Sequence, residues 1–416
     1  MQDDILVYVG HNAGAQLVDY CQAHHFDSLL LVFDENTYAA AGQRLVEQLT
    51  AAGFDLKTAM LTGPEITADE RNFVQVLLAA GREARTYVAV GSGSITDITR
   101  FVSFHTGANC ISFPTAASVD GFTSAGAPSV IDGFKKTIYC HSPLAVFGDL
   151  TVLSAAPQAM TASGFGDMLG KYIALADWQL GHLLWDEPFD APTFARMRAT
   201  LQNCVDHAPA IGQATPEGLR ALFDGLIESG LCMLAINNSR PASGAEHQIS
   251  HYLEMKLIRE QRPAVLHGAK VGAASVIAAG WYQQLRRLSR AELLDRLEAA
   301  VLPSASAHIQ TIEAVFPAMA DKVLAEQHQF LSLSAADFEQ LKLKIAAHWD
   351  EIQHIAASVP APEQLAALLQ QVGGQTDLMA FGFAQSEVDE AVKYAHYLRN
   401  RFNIDKLGQV IGLEMG

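Results

Sequence analysis

Near residue 155 the hydrophobic pattern of this 416-residue chain changes in kind, and that change bounds what it can fold into. Before it, short apolar runs alternate with helical patterns. Ile5 to Val9, Ser28 to Phe33, Leu56 to Leu61, Thr86 to Val90 and Cys110 to Phe113 read as strands, and His11 to His24, Tyr38 to Ala52 and Thr67 to Gly81 as helices. Short strands, apolar on both faces and separated by helices, belong to a parallel sheet covered on both sides. After residue 155 strand patterns vanish, and long Ala/Leu/Glu-rich segments with helical periodicity run to the end. Pro157, Pro188, Pro216, Pro263, Pro303, Pro317 and the pair Pro360/Pro362 are expected at helix boundaries. The expected architecture is an α/β nucleotide-type domain over 1–155, an all-α domain over 156–416 and a cleft between them.

Composition narrows the partners. A net charge of -17 argues against nucleic acid and against an anionic membrane surface, both of which are held by Lys and Arg. An acidic protein can still bind an anion where a few cations are focused in one cleft. The five cysteines are scattered without a Cys-x-x-Cys pair, which fits buried thiols in a reducing compartment rather than a zinc-thiolate site. Met1-Gln2-Asp3-Asp4 is acidic where a signal peptide is basic, and the small apolar stretch Val271 to Trp281 is too short and glycine-rich to span a bilayer. A cytoplasmic location is expected.

Three segments of the first part suit a nucleotide. Val88-Ala89-Val90-Gly91-Ser92-Gly93-Ser94-Ile95-Thr96-Asp97 runs from a strand through a glycine turn into a helix, where helix amides can hold a pyrophosphate. An ordinary strand-to-helix turn has the same pattern. Asp34 ends the run Leu29 to Phe33, where a carboxylate can accept from an adenosine ribose and repel a 2′-phosphate, favouring NADH over NADPH. The alternative is a cap for the turn Glu35-Asn36-Thr37. The third segment is Phe113-Pro114-Thr115-Ala116-Ala117-Ser118-Val119-Asp120-Gly121-Phe122-Thr123-Ser124, directly after a strand, where α/β folds place binding loops. Its hydroxyls and amides can contact a cofactor, and Asp120 can anchor substrate hydroxyls.

The second part offers metal ligands. In Ser243-Gly244-Ala245-Glu246-His247-Gln248-Ile249-Ser250-His251, a capping-box pattern gives Glu246 a structural role, and His247 and His251 share one helix face at a spacing that can serve one metal. His267 starts another small-residue helical segment, Leu266-His267-Gly268-Ala269-Lys270. Asp167, in Ser163-Gly164-Phe165-Gly166-Asp167-Met168-Leu169-Gly170-Lys171, reads as lying at a helix start, where it favours the dipole or pairs with Lys171. Histidines and a carboxylate set among glycines and alanines, where backbones can crowd together, favour a shared site.

In this order, Gly91-Ser92-Gly93…Asp97, Phe113 to Ser124, Gly164-Phe165-Gly166-Asp167, Glu246-His247…His251 and Leu266-His267-Gly268 resemble the iron-containing alcohol dehydrogenase, glycerol dehydrogenase and dehydroquinate synthase superfamily. Within it the chain resembles the glycerol-1-phosphate dehydrogenases, particularly their bacterial branch. The resemblance runs from the first strand to about residue 285. It implies a Rossmann-like N-terminal domain, a helical C-terminal domain and an active site in the interdomain cleft. It implies a divalent metal, zinc or nickel, on Asp167, His247 and His267, with Asp120 and His251 as catalytic groups. The substrate would meet Asp120, His251 and the metal-bound Asp167, and Gly93, Ser94, Asp97, Thr115, Ser118 and Ser124 would line the NAD cofactor. The implied reaction is NAD(P)H-linked reversible reduction of dihydroxyacetone phosphate to sn-glycerol-1-phosphate, a glycerophospholipid precursor, by a homo-oligomer. One departure is Gly91-Ser92-Gly93-Ser94, where many relatives carry three glycines.

The phosphate needs cations, and Lys135, Lys136, Lys171, Arg240 and Lys270 lie beside the motifs. Each alone reads equally as a solvated lysine or a helix pair. A polyol dehydrogenase would share everything except these cations, and a lyase of the dehydroquinate synthase type would carry more of them.

Overall fold

The structure, a computed structural model, describes residues 5–63, 65–132 and 134–413. Its strands are β1 (Leu6–Gly10), β2 (Ser28–Asp34), β3 (Asp55–Leu61), β4 (Thr86–Val90), β5 (Cys110–Phe113), β6 (Gly126–Ile131), β7 (Phe134–Tyr139) and β8 (Ala145–Asp149). Six of them form a parallel sheet in the order β1-β8-β5-β4-β2-β3. Helices cover both faces, and the strand side chains divide between them with period two. Leu29, Leu31, Phe33, Val88 and Val90 join one core, and Leu30, Val32, Tyr87 and Ala89 the other.

β6 and β7 form an antiparallel hairpin outside this sheet. In the sequence only its Thr137-Ile138-Tyr139 part is strand-like, and β8 carries no clear strand pattern. β8 is short and ends in Gly148-Asp149, a weak strand pattern. The glycine is there for packing, since a Cβ at Gly148 would lie 2.5 Å from the Phe223 ring.

From Leu150 onward the described residues hold helices and loops but no strand. The prolines sit where their chemistry places them: Pro157 caps the helix Gln158–Leu169, and Pro216 and Pro362 open helices. The largest hydrophobic core fills this helical part and reaches Ala117, Phe122 and Val146 of the sheet part.

Two helices, Gln158–Leu169 and His267–Arg287, carry Asp167 and His267, and they meet backbone to backbone. A Cβ on Gly166 would lie 2.4 Å from the Gly268 carbonyl oxygen, and one on Gly268 would lie 2.0 Å from that of Ser163. A Cβ on Gly164 would lie 2.0 Å from the Ala117 carbonyl oxygen, so the binding loop presses on the same helix. Asp167 therefore lies in the last turn of its helix, which ends at Leu169, and not at a helix start as its sequence context suggested.

Gly166→Ala and Gly268→Ala should each destabilise the chain by about 1–3 kcal/mol in urea unfolding, the usual cost of forcing a side chain into a filled space. Gly280→Ala, later in the His267 helix, meets nothing closer than 4.0 Å and should be neutral or stabilising. Equal effects at all three positions would contradict the close-contact account.

Candidate active site and metal centre

Asp167, His247 and His267 come together from three helices, with ligand atoms all within 4.8 Å of one another. Asp167 and His247 are buried and His267 partly so. His247 lies in the first turn of the helix Ala245–Arg259, which has no side-chain cap of its own. Its N-terminal N–H groups go elsewhere: Ala245 donates to Asp177 Oδ2 (2.8 Å) and Gly244 to Glu246 Oε1 (2.9 Å). The capping box expected between Ser243 and Glu246 is absent, because the helix starts one residue later than that pattern requires. Glu246 instead sits 2.6 Å from His247 Nδ1. A carboxylate only accepts, so the ring donates from Nδ1 and presents Nε2 toward Asp167 Oδ1 at 3.5 Å.

Lys171 neutralises the centre. Its ammonium, fully buried, donates to Asp167 Oδ1 (2.8 Å) and to the Ala242 carbonyl (3.1 Å), and it pairs with Asp120 Oδ2 (2.8 Å). Asp120 closes the loop by donating its backbone N–H to Asp167 Oδ2 at 3.1 Å and by accepting from Ser229 Oγ at 2.8 Å. Burial pushes the Asp167 carboxyl up, but the Lys171 ammonium and the contact with His247 more than reverse it and hold it well below the carboxylate range. Burial lowers Lys171, yet Asp120 and Asp167 outweigh it and raise the ammonium. Burial likewise drives His267 well down, so its ring is neutral, as a metal ligand must be.

His251 stands apart from this trio. It lies one turn beyond His247, with ring centroids 6.1 Å apart, and groups with Glu254 and His267 instead. Its Nδ1 is 3.4 Å from Glu254 Oε2, and burial pushes its pKa down to about 4 despite that carboxylate. Glu254 Oε1 in turn takes Lys135 at 2.7 Å, with Lys270 at 3.9 Å.

The cofactor candidates gather at the carboxyl end of the sheet. The glycine turn leads into the helix Gly93–His105, so the unpaired first-turn amides face outward from the end of β4. Ser92 Oγ bonds Ser118 Oγ, and Thr115 N–H donates to the Gly91 carbonyl (3.3 Å), which docks the binding loop on the turn. Thr115 and Ser118 are buried there, Ser94 is exposed, and Ser124 is committed to the Gly121 and Gly126 carbonyls of its own loop. Gly93 leaves room for Val119, 3.4 Å from where its Cβ would lie. Burial raises the Asp97 carboxyl to about 7 against the pull of Arg100, 3.3 Å away. Asp34, at the end of β2 beside β4, accepts from Thr37 N–H at 2.7 Å in a complete capping box. The cap reading of Asp34 is thus realised, and Oδ1 is the oxygen it uses.

Four residues with roles here were absent from the sequence reading. Arg100 holds the loop by donating to the carbonyls of Gly121, Phe122 and Gly126 at 2.7–3.0 Å. Its signal was its place one turn after Asp97. Glu254 continues the face of His247 and His251 at intervals of four and three. Ser229 and Asp177 carried no signal, since only the folded chain brings them in.

A parallel sheet with a glycine turn at its carboxyl edge thus faces an Asp/His/His cluster held among helices. Residues 8–157 match the family model described as iron-containing alcohol dehydrogenase. The chain is 37% identical over 400 residues to the glycerol-1-phosphate dehydrogenase (NAD(P)+) of Bacillus velezensis, covering 95% of this chain and 89% of that one. It is 39% identical over 314 residues to the enzyme of the same name from Geobacillus thermodenitrificans, covering 75% and 69%. Among solved structures, maleylacetate reductase from Agrobacterium tumefaciens shares the fold with a TM-score of 0.59, at 14% identity over 100% of this chain and 98% of that one. The chain belongs to the glycerol-1-phosphate dehydrogenase family and is an oxidoreductase.

Lys171→Met should strip the buried Asp167 and the half-buried Asp120 of their counter-ion and cost about 3–5 kcal/mol in the metal-free protein. Thermal unfolding with and without added zinc or nickel would show it, and the ion should stabilise the variant more than it stabilises the parent. An unchanged melting temperature would contradict this role.

Proposed function

We propose that the chain carries out the metal-dependent, reversible reduction of dihydroxyacetone phosphate to sn-glycerol-1-phosphate with NADH or NADPH, making a precursor of glycerophospholipids. The observation that carries this reading is the trio of Asp167, His247 and His267, the first two buried and the third partly so, joined through Asp120 to the loop at the carboxyl end of a parallel sheet. One carboxylate and two imidazoles form an oxygen/nitrogen donor set that suits zinc or nickel. Such an ion polarises a ketone as a Lewis acid, and the nicotinamide supplies the hydride.

The chain's own groups do the rest. Glu246 fixes the tautomer and direction of His247. Lys171 and Ser229 both engage Asp120 Oδ2, which leaves Oδ1 to accept a hydroxyl of the substrate. His251 passes the proton that the product oxygen needs, with Glu254 behind its Nδ1. Gly93 and Ser94 offer first-turn amides to a pyrophosphate, and Asp97, Thr115, Ser118 and Ser124 border the same edge. Asp34 retains Oδ2 for an adenosine ribose, which favours NADH. In this reading residues 1–155 bind the nucleotide, residues 156–416 bind metal and substrate, and the enzyme is a cytoplasmic homo-oligomer. Among the described residues no helix is long and apolar enough to cross a membrane.

The test is the initial rate of NADH oxidation with dihydroxyacetone phosphate and with dihydroxyacetone, before and after chelation and metal add-back. Metal-restored turnover should strongly prefer the phosphate. His247→Ala should lower it about a thousandfold or more, and His251→Ala about a hundredfold or more while metal content is retained. Preference for the unphosphorylated ketone would move the chain to the polyol dehydrogenases.

A further inference from the structure

We infer that Lys135 and Lys270 form the subsite for the substrate's phosphate, a phosphomonoester dianion, with Glu254 as its internal competitor; this rests on the reaction proposed above. Three of the five cations near the motifs are otherwise placed. Lys171 has its ammonium divided among Asp167, Asp120 and the Ala242 carbonyl, which exhausts its donors. Arg240 is paired with Glu187. Lys136 is exposed, and alternation along β7 sends it to the face opposite Lys135.

Lys135 and Lys270 come from different parts of the chain, the hairpin and the His267 helix, and converge on one oxygen, Glu254 Oε1. Lys270 is fully buried, and among the described residues its ammonium makes one hydrogen bond, to the Val265 carbonyl at 2.6 Å. It therefore keeps donor capacity that a second acceptor can use. The two ammoniums share one carboxylate in direct contact, Glu254; Glu65 acts on Lys270 and Asp97 on Lys135 only from farther off, Asp97 being paired with Arg100. An anion seated between the lysines would supply the close opposite charge that a buried ammonium needs. A neutral polyol brings no such charge.

The position also fits. Ligand atoms of Glu254, His251 and His267 lie within 4.8 Å of one another, and His267 belongs to the metal trio as well. In dihydroxyacetone phosphate only three bonds separate the carbonyl carbon from phosphorus. One small molecule can therefore place its ketone at the trio and its phosphoryl group against the two lysines. Glu254 repels that group, and it serves in turn to hold both ammoniums when no substrate is bound.

The charges make the test directional. Inorganic phosphate is titrated by calorimetry into the metal-loaded full chain, and the preference for phosphorylated over unphosphorylated ketone is read as a ratio of kcat/KM. Lys135→Met and Lys270→Met should each weaken phosphate binding about ten- to a hundredfold, the scale of losing a hydrogen bond to a charged group, and lower the preference to match. Glu254→Gln should tighten phosphate binding. Lysine variants that bind phosphate like the parent would overturn the inference. So would a Glu254→Gln chain that binds it more weakly, since the cluster would then merely brace the hairpin against the helix. If the parent itself turned over the unphosphorylated ketone as readily, the reaction would be misassigned, while the calorimetric pattern would still decide the anion subsite.

Discussion

The close contact of two helices at Gly166 and Gly268 is the constraint on which the site depends. Asp167 follows the first glycine directly and His267 precedes the second. With no side chains between the backbones, the two functional groups approach to ligand distance without any loop reaching in. Sites built on packed helices hold their geometry more closely than sites on loops. Gly164 extends the same contact to the binding loop at Ala117, so the nucleotide edge and the metal trio are positioned against one helix.

Around that contact lies a series of alternating charges, some buried and some half-buried. Asp120, Lys171 and Asp167 form one sequence, Glu246 and His247 another, and Lys135, Glu254 and Lys270 a third. Buried ions stabilise little by themselves, but removing one partner strands the other at large cost. The arrangement therefore fixes geometry more than it adds stability. It also shows how a chain with net charge -17 can offer cations to the anion subsite proposed above: those lysines are focused in the interior, and the acidic excess lies elsewhere.

What was legible in the sequence was local. The apolar strands with helices between them gave the parallel sheet, the prolines marked helix boundaries, and the Gly-x-Gly turn opened a helix after β4 as its pattern required. That Asp167, His247, His251 and His267 lie near one another was legible from the glycines and alanines around them, whereas the choice of Asp167, His247 and His267 over His251 was only what the resemblance implied. What escaped depended on contacts far along the chain. β8 is a strand because β1 and β5 lie on either side of it, not because of its own pattern. Asp167 looked like a first-turn residue because Gly164 and Gly166 suggest a break, yet those glycines lie inside a helix for packing. Ser243 looked like a cap because nothing nearby shows that Asp177, 68 residues earlier, supplies the carboxylate to Ala245.

The central claim is that Asp167, His247 and His267, rather than His251 and Glu254, hold the ion. Anomalous diffraction at the metal edge from crystals of the metal-loaded chain tests this directly. The account predicts one ion per chain, bonded to the Asp167 carboxylate and both trio imidazoles, with Glu254 still facing Lys135. An ion bonded to Glu254 and His251, or a second ion there, would contradict it.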